Sequence, residues 1–255
     1  MHVRGTHHQH ESGHFKTVSR KQSMTHAAHS PLMIRPSLWL HGASLTCATW
    51  RKVVDGLPLA QTPNLPAVET DARVEAYADM LQPLAPDGAV LVGHSLGGMV
   101  ALELAARTRP AALILIEAVP TVVDTFAGRL AGRVLPAVLK RIPPRRLAGL
   151  TGVGEPKTVA RELRAQIPHW GADAIADQMR AAAAYDGRGR LSKIAAPTLL
   201  IRGARNRATR RGMNALATGI VDSELLELDG GHNLPLEMPE TVRVQIDAFL
   251  TRRLG

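Results

Sequence analysis

In Gly93-His94-Ser95-Leu96-Gly97-Gly98 a hydroxyl stands between glycines, and small neighbours allow a backbone turn sharp enough to present it. The segment lies between Ala89-Val90-Leu91-Val92, an apolar run of strand type, and Leu96 to Thr108. In the latter, Met99, Val100, Leu102, Leu104 and Ala105 predict an amphipathic helix, with Pro110 beyond its end. Strand, Gly-x-Ser-x-Gly and helix in that order is a pattern that holds a serine nucleophile in a strained turn. The helix N-terminus directs partial positive charge at an oxyanion forming on a carbonyl substrate. The chemistry implied is acyl transfer through a covalent Ser95 intermediate. It needs a general base, a group to orient that base, and two N–H donors, all of which the remaining elements must bring to Ser95.

Those elements alternate. Ser37-Leu38-Trp39-Leu40 reads as a buried strand that ends at His41-Gly42. Residues 71–85 have helical spacing through Val74, Tyr77, Ala78 and Leu81. Further strands are expected at Ala112–Ile116, Pro197–Ile201 and Leu225–Leu228, with a closing helix from Pro239 to Leu250. Such alternation implies an α/β fold, a mostly parallel sheet with helices on both faces. Residues 31–119 and 196–255 form that core. Residues 120–195 break the pattern, with helical stretches at Val159–Gln166 and Ala172–Ala184 and with Pro136, Pro143 and Pro144 as interruptions. This stretch is expected to be a helical cap inserted over the C-terminal edge of the sheet, where ligands bind in such folds.

Composition narrows the class. A chain of 255 residues with 45% hydrophobic residues can bury one large core. No apolar run reaches the roughly 18–20 residues of a membrane span. The single Cys47 gives no internal disulfide framework, so a cytoplasmic location is expected. The net charge is +9, of which residues 120–195 supply +7 from 13 Lys or Arg against six Asp or Glu. No nucleic-acid motif accompanies this charge, so nucleic acid is not expected as a partner. A solvated helical face explains it plainly, whereas an anionic substrate or an acidic carrier protein is the sharper reading. Residues 1–30 carry seven of the eleven histidines without apolar periodicity and are expected to be a disordered His-rich tail, with Met24 or Met33 as alternative starts.

Together these features make the sequence resemble the α/β-hydrolase superfamily, in its small serine-hydrolase branch with a helical cap. The resemblance covers residues 37 to 252. It rests on Leu40-His41-Gly42-Ala43 with Trp50 beyond it, on Gly93 to Gly98, on Pro197 to Gly203, and on Gly231-His232 followed by Glu237 and Pro239. It implies the α/β-hydrolase fold and a triad chemistry that uses no metal and no organic cofactor. It assigns His232 as general base, and it makes the backbone N–H groups of Ala43 and Leu96 the oxyanion hole. His94 then packs beside the nucleophile, and His41 shapes its loop through hydrogen bonds.

The triad acid departs from the family pattern. The family commonly has an Asp a few residues beyond the strand equivalent to Pro197–Ile201, and Asn206 stands there. Relatives such as certain haloalkane dehalogenases place the acid after the strand equivalent to Ala112–Ile116, and Glu117 stands there. Glu117 is therefore expected to orient His232, with Asn206 in a weakened triad, Asp222, Asp229 or no acid as the alternatives. The turn Asp-x-x-Gly-x-Gly, usual between residues 55 and 75, is replaced by Pro63-Asn64-Leu65-Pro66, and no strand signal precedes Ser37.

The expected function is hydrolysis of an ester or thioester of a small, anionic or carrier-linked acyl group. A carrier-linked substrate resembles that of pimeloyl-carrier methyl ester esterases, by fold-level analogy. The same residues could serve a C–C bond hydrolase or a cofactor-free haloperoxidase. A non-catalytic ligand binder with a decayed acid at Asn206 is a further alternative.

Overall fold

The computed structural model describes residues 30–68, 72–122, 134, 137–150 and 155–255. The His-rich tail expected over residues 1–30 lies outside the described residues except for Ser30. Six strands form one sheet: β1 (Ser37–Leu40), β2 (Ala60–Gln61), β3 (Val90–His94), β4 (Ala112–Ile116), β5 (Thr198–Gly203) and β6 (Ser223–Leu228). Their order is β2-β1-β3-β4-β5-β6, and every pair is parallel. The parallel arrangement follows from composition. Strands β1, β3 and β4 are buried along their whole length, as continuous apolar strands covered on both faces must be.

Alternate side chains feed two layers. Leu38, Leu40, Leu91, Leu113, Leu115 and Leu200 face α1 (Val74–Leu81), α2 (Leu96–Ala105) and α6 (Arg210–Gly219). On the other face Trp39, Val92, Ile114, Ile116 and Ile201 meet Val242, Ile246 and Phe249 of α8 (Pro239–Leu254). Two residues of β2 pair with the start of β1 and cover that edge of the sheet. Among the described residues no strand precedes Ser37.

Helix α2 is not amphipathic as expected, because all ten of its residues are buried. It runs between the sheet and α1, so it has no solvent face. Its one charged residue, Glu103, survives burial because Arg107, Arg190 and Tyr185 all donate to its carboxylate. Burial pushes this carboxyl up, but the bonds from Arg190 and Arg107 outweigh burial and hold it below its ordinary value.

Between β4 and β5 the described segments are helical: α3 (Pro144–Leu150), α4 (Lys157–Gln166), α5 (Ala172–Ala184) and short 3-10 turns. An isolated bridge between Thr121 and Asp186 joins the two ends of this layer. Pro144 opens α3 and does not interrupt it, since a first-turn residue has no helical N–H bond to lose. Leu139, Ala148, Ile167, Ile175 and Ala176 give the layer a small core of its own. Val159 and Leu163 of α4 pack on Leu45, with Leu236 of α7 (Leu234–Glu237) against them.

Candidate active site

Ser95 sits between β3 and α2 with φ 52° and ψ −118°, a conformation that L residues rarely adopt. Close packing enforces it. A Cβ on Gly93 would collide with Gly97 O, and one on Gly97 would collide with Leu40 O, so both positions must lack a side chain. Ser95 N–H donates to Ile116 O at 3.0 Å, and Ser95 O accepts from Gly98 and Met99 at 3.0 and 3.2 Å, which starts the helical ladder. From residue 89 to 105, Ser95 alone is not buried. As the first residue of α2, Leu96 has an N–H outside the helical ladder.

The loop after β1 passes directly over this turn. A Cβ on Gly42 would lie 3.2 Å from Ser95 Cβ and 3.1 Å from His94 Nδ1. Leu45 N–H donates to Gly42 O at 3.2 Å and closes a β-turn, with Ala43 and Ser44 at its centre. His41 fixes the first peptide of that turn. Its Nε2 accepts from Leu65 N–H at 3.0 Å, so the ring proton is on Nδ1, which donates to Gly42 O at 2.9 Å. In a trans peptide the N–H points opposite to the C=O, so the direction of Ala43 N–H is fixed with it. His41 is wholly buried, and burial lowers its pKa to about 4, against a smaller upward push from the Gly42 bond. The ring is therefore a neutral structural group, as expected from the sequence.

His94 is buried too, and donates from Nε2 to His232 O at 2.9 Å. Burial, and secondarily the charge of His232, lowers its pKa to about 3. The two rings lie 5.0 Å apart, so His94 ties the loop bearing His232 to the serine turn. His232 itself lies between β6 and α7, and its side chain is 36% exposed. Behind it Glu117, at φ 50° and 1% exposed, follows β4. Glu117 Oε1 accepts from Gly203 N–H, and Oε2 accepts from Thr209 Oγ1 and from Asn206 Nδ2, the last at 2.6 Å.

The structure thus brings both sequence candidates for the acid to the same histidine. Glu117 Oε2 lies 3.7 Å from His232 Nδ1, within ion-pair range but too long for a direct hydrogen bond. Asn206 Nδ2 lies 3.0 Å from the same nitrogen. Asp222 and Asp229 are engaged elsewhere, with Arg253 and Arg205 respectively. An ionised Glu117 accepts only, so the Asn206 amide must turn its NH₂ toward it. When that amide also donates to His232 Nδ1, the imidazole proton resides on Nε2. When Nδ1–H turns to Glu117, Nε2 is free to accept from a hydroxyl.

Other contributors had no signal in the sequence. Gly203 N–H and Thr209 hold Glu117 from 86 and 92 positions away. Glu155 accepts from Asn233 Nδ2 at 2.8 Å, next to His232. A cavity of about 280 Å³ is lined by Pro66, Val68, Tyr77, Trp170, Asp177 and Gln178. It adjoins the turn over Ser95, because Ser44 N–H donates to Gln178 Oε1 and Trp170 Nε1 donates to Leu45 O. Tyr77 is pushed up to about 12, first by burial and then by the Asp177 carboxylate, so its phenol stays protonated in the cavity wall.

Comparison with known proteins agrees with this architecture. Residues 28–244 match the model of the alpha/beta hydrolase family. Over 245 residues the chain is 32% identical to the pimeloyl-[acyl-carrier protein] methyl ester esterase of Aromatoleum aromaticum, spanning 84% of this chain and 98% of that protein. Among solved structures, a thermophilic esterase from Thermogutta terrifontis superposes with a TM-score of 0.74 at 24% identity, covering 87% of this chain and 91% of that one. MenH from S. aureus superposes with a TM-score of 0.73 at 19% identity, covering 87% and 95%. With its all-parallel sheet, its strained serine turn and these matches, the chain belongs to the alpha/beta hydrolase family and is a hydrolase.

Proposed function

We propose that the protein hydrolyses a carboxylic ester on an acyl chain presented by an acidic carrier protein, through an acyl-enzyme on Ser95. The observation that carries this reading is the strained, solvent-reaching Ser95, with His232 beside its turn and the buried Glu117 carboxylate behind His232. His232 Nε2 takes the Ser95 Oγ proton while Oγ bonds to the ester carbonyl carbon. The carbonyl oxygen, now an anion, is met by the N–H groups of Ala43 and Leu96. The carbon–oxygen bond to the leaving group breaks as His232 returns the proton to the departing alkoxide, which leaves as the alcohol. Water then adds to the acyl-enzyme, with its proton passing through His232 back to Ser95, and the acid is released. Glu117 stabilises the imidazolium when Nδ1–H faces it.

The carrier part of the proposal draws on charge and on similarity. Lys140, Arg141, Arg145, Arg146, Lys157, Arg161 and Arg164 are all exposed on the helical layer, which acts as the cap. Such a face attracts an acidic partner. The Aromatoleum relative is named for an acyl-carrier methyl ester. A cavity wall bearing Asp177 suits an uncharged ester terminus better than a free carboxylate.

A second reading is favoured by one contact. The 3.0 Å approach of Asn206 Nδ2 to His232 Nδ1 suits a serine left unactivated, in a protein that binds its ligand without turning it over. One assay separates the two. A methyl-esterified dicarboxylic acyl chain is offered on an acyl-carrier protein and, separately, as the free acid's methyl ester, to wild type and to Ser95→Ala. Methanol release from the carrier-borne ester, faster than from the free one and abolished in Ser95→Ala, is the expected result. No release by wild type, with no fluorophosphonate labelling of Ser95, would leave the binder.

A further inference from the structure

The turn carrying Ala43 is held from outside the sheet by three side chains of the helical layer, each bonded to a different main-chain residue. Ser44 N–H donates to Gln178 Oε1 at 2.7 Å. Leu45 O accepts from Trp170 Nε1 at 2.7 Å. Thr46 N–H donates to Gln166 Oε1 at 2.9 Å, and the same oxygen accepts from Thr46 Oγ1 and Thr49 Oγ1 at 3.1 and 3.0 Å. Residues 44, 45 and 46 are thus bonded in succession to residues more than 100 positions away, on α5, on the segment before it and at the end of α4.

Ser44 is where this restraint matters. It occupies the third position of the turn at φ 58°, whereas Ala43 keeps the ordinary sign. That combination belongs to a type II turn, in which glycine is favoured at the third position. In a type I turn the peptide between Ala43 and Ser44 is rotated by about half a revolution, and a serine there would need no positive φ. Ser44 thus holds a φ that serine rarely adopts, while its own Oγ donates to the carbonyl of the same peptide, Ala43 O, at 2.6 Å. Gln178 opposes rotation to the type I form, because the amide oxygen of this residue, 1% exposed, accepts the Ser44 N–H only in the orientation observed.

We propose that Gln178 is a positioning residue for the oxyanion hole: by fixing the Ala43–Ser44 peptide, it lets the helical layer determine whether Ala43 N–H is aligned over Ser95. The inference rests on the acyl-enzyme reading above, in which Ala43 N–H meets the oxyanion. Rotation of the 43–44 peptide changes ψ at Ala43 and frees that side of the residue; the turn is then held by the Gly42 carbonyl alone, about which the 42–43 peptide can pivot, and the N–H loses its alignment. Substrate binding is largely unaffected, because the ground-state carbonyl depends little on the hole.

The test uses p-nitrophenyl butyrate, with kcat and KM measured separately, and a trifluoromethyl ketone of matching chain length, whose adduct on Ser95 carries the oxyanion. Gln178→Leu should lower kcat by about 10- to 100-fold with KM changed by less than about threefold, a smaller effect than losing a donor outright. Its affinity for the ketone should fall in parallel. Gln178→Glu keeps an acceptor oxygen and should stay within about threefold of wild type. Adding Ser44→Gly to Gln178→Leu should recover most of the lost kcat, because glycine takes the positive φ without strain. Unchanged ketone affinity in Gln178→Leu, or no recovery on adding Ser44→Gly, overturns the proposal and leaves Gln178 a packing residue. If Gln178→Leu fails to fold, Gln178→Glu decides, since a loss of kcat greater than tenfold in a folded Gln178→Glu also overturns it. Ser95→Ala separates the two layers of argument. Full activity in Ser95→Ala removes the acyl-enzyme reading and the inference with it, whereas an inactive Ser95→Ala beside a fully active Gln178→Leu removes the inference alone.

Discussion

Two groups meet at His232 Nδ1, and in the proposed mechanism their contest sets how strong a base the histidine is. Glu117 has the charge, at 3.7 Å, and Asn206 has the shorter approach, at 3.0 Å. A carboxylate stabilises an imidazolium, whereas an amide donor does not. Glu117→Gln should therefore lower kcat by about 10² to 10⁴, the scale on which a triad acid matters. Asn206→Ala removes the competing donor together with one of the bonds that hold Glu117, which Gly203 N–H and Thr209 still anchor, and should leave kcat within about tenfold of wild type. Steady-state kinetics on the two variants decide the assignment: a larger loss in Asn206→Ala than in Glu117→Gln would transfer the role to Asn206. Both residues were legible in the sequence, because Glu117 directly follows the apolar run Ala112–Ile116 and Asn206 stands a few residues beyond Pro197–Ile201, the two places where the resemblance puts an acid. Their mutual contact was not, since an 89-residue separation leaves no local trace. The same holds for Gln166, Trp170 and Gln178. Nothing in a helical repeat marks which polar residue on it will reach a distant main chain.

At the scale of elements, the parts read correctly were those in which burial dictates the pattern. Strands β1, β3 and β4 are continuous apolar runs, and α4 and α5 carry apolar residues at helical spacing. Helix α6 leaves no clear signal, because Met213 and Leu216 are its only large buried residues, behind an opening of Arg210-Arg211-Gly212. Strand β2 is two residues long, too short for any period to show. Helix α2 is legible as a helix, but its buried outer face is not, because the partners that let Glu103 be buried include Tyr185 and Arg190, 82 and 87 positions away. The junction of β3 with α2 leaves no spare volume. Gly97→Ala drives a methyl group into the Leu40 carbonyl, against backbone that cannot yield without moving β1. A loss of stability on the order of 3 kcal/mol or more is expected, read as a lowered urea midpoint, with activity lost alongside it. A folded Gly97→Ala with a wild-type midpoint would mean that β1 and α2 separate more easily than their packing implies.

Across the whole molecule, two buried imidazoles couple stability to pH. His41 and His94 are held neutral, with pKa values lowered to about 4 and about 3 from an ordinary 6.5. Between those limits the unfolded chain binds protons that the native one refuses, so stability rises with pH. The contribution is complete above pH 6.5 and is lost as pH falls toward 4 and 3. At pH 5 each histidine should have cost on the order of 2 kcal/mol relative to pH 7.5, which urea titrations at the two pH values would measure. The interval from pH 7.5 to pH 5 lies above the carboxylate range, so Glu103, whose carboxyl is held below its ordinary 4.5, does not confuse the result. Equal stability at pH 7.5 and pH 5 would mean that both rings accept protons within the fold.

The succession of bonds from Gln178, Trp170 and Gln166 to residues 44–46 has a consequence for recombination. The stretch between β4 and β5 looks like a self-contained module, with a small core of its own and both ends joined at the Thr121–Asp186 bridge. Grafting such a module from a relative to change substrate range treats it as interchangeable. Here it is not. A donor module must bring an acceptor for Ser44 N–H, a donor for Leu45 O and an acceptor for Thr46 N–H, or the host loop must be exchanged with it. A chimera that ignores these three bonds can fold and bind ligand, yet its chemistry will be slowed by a misaligned peptide in the recipient half.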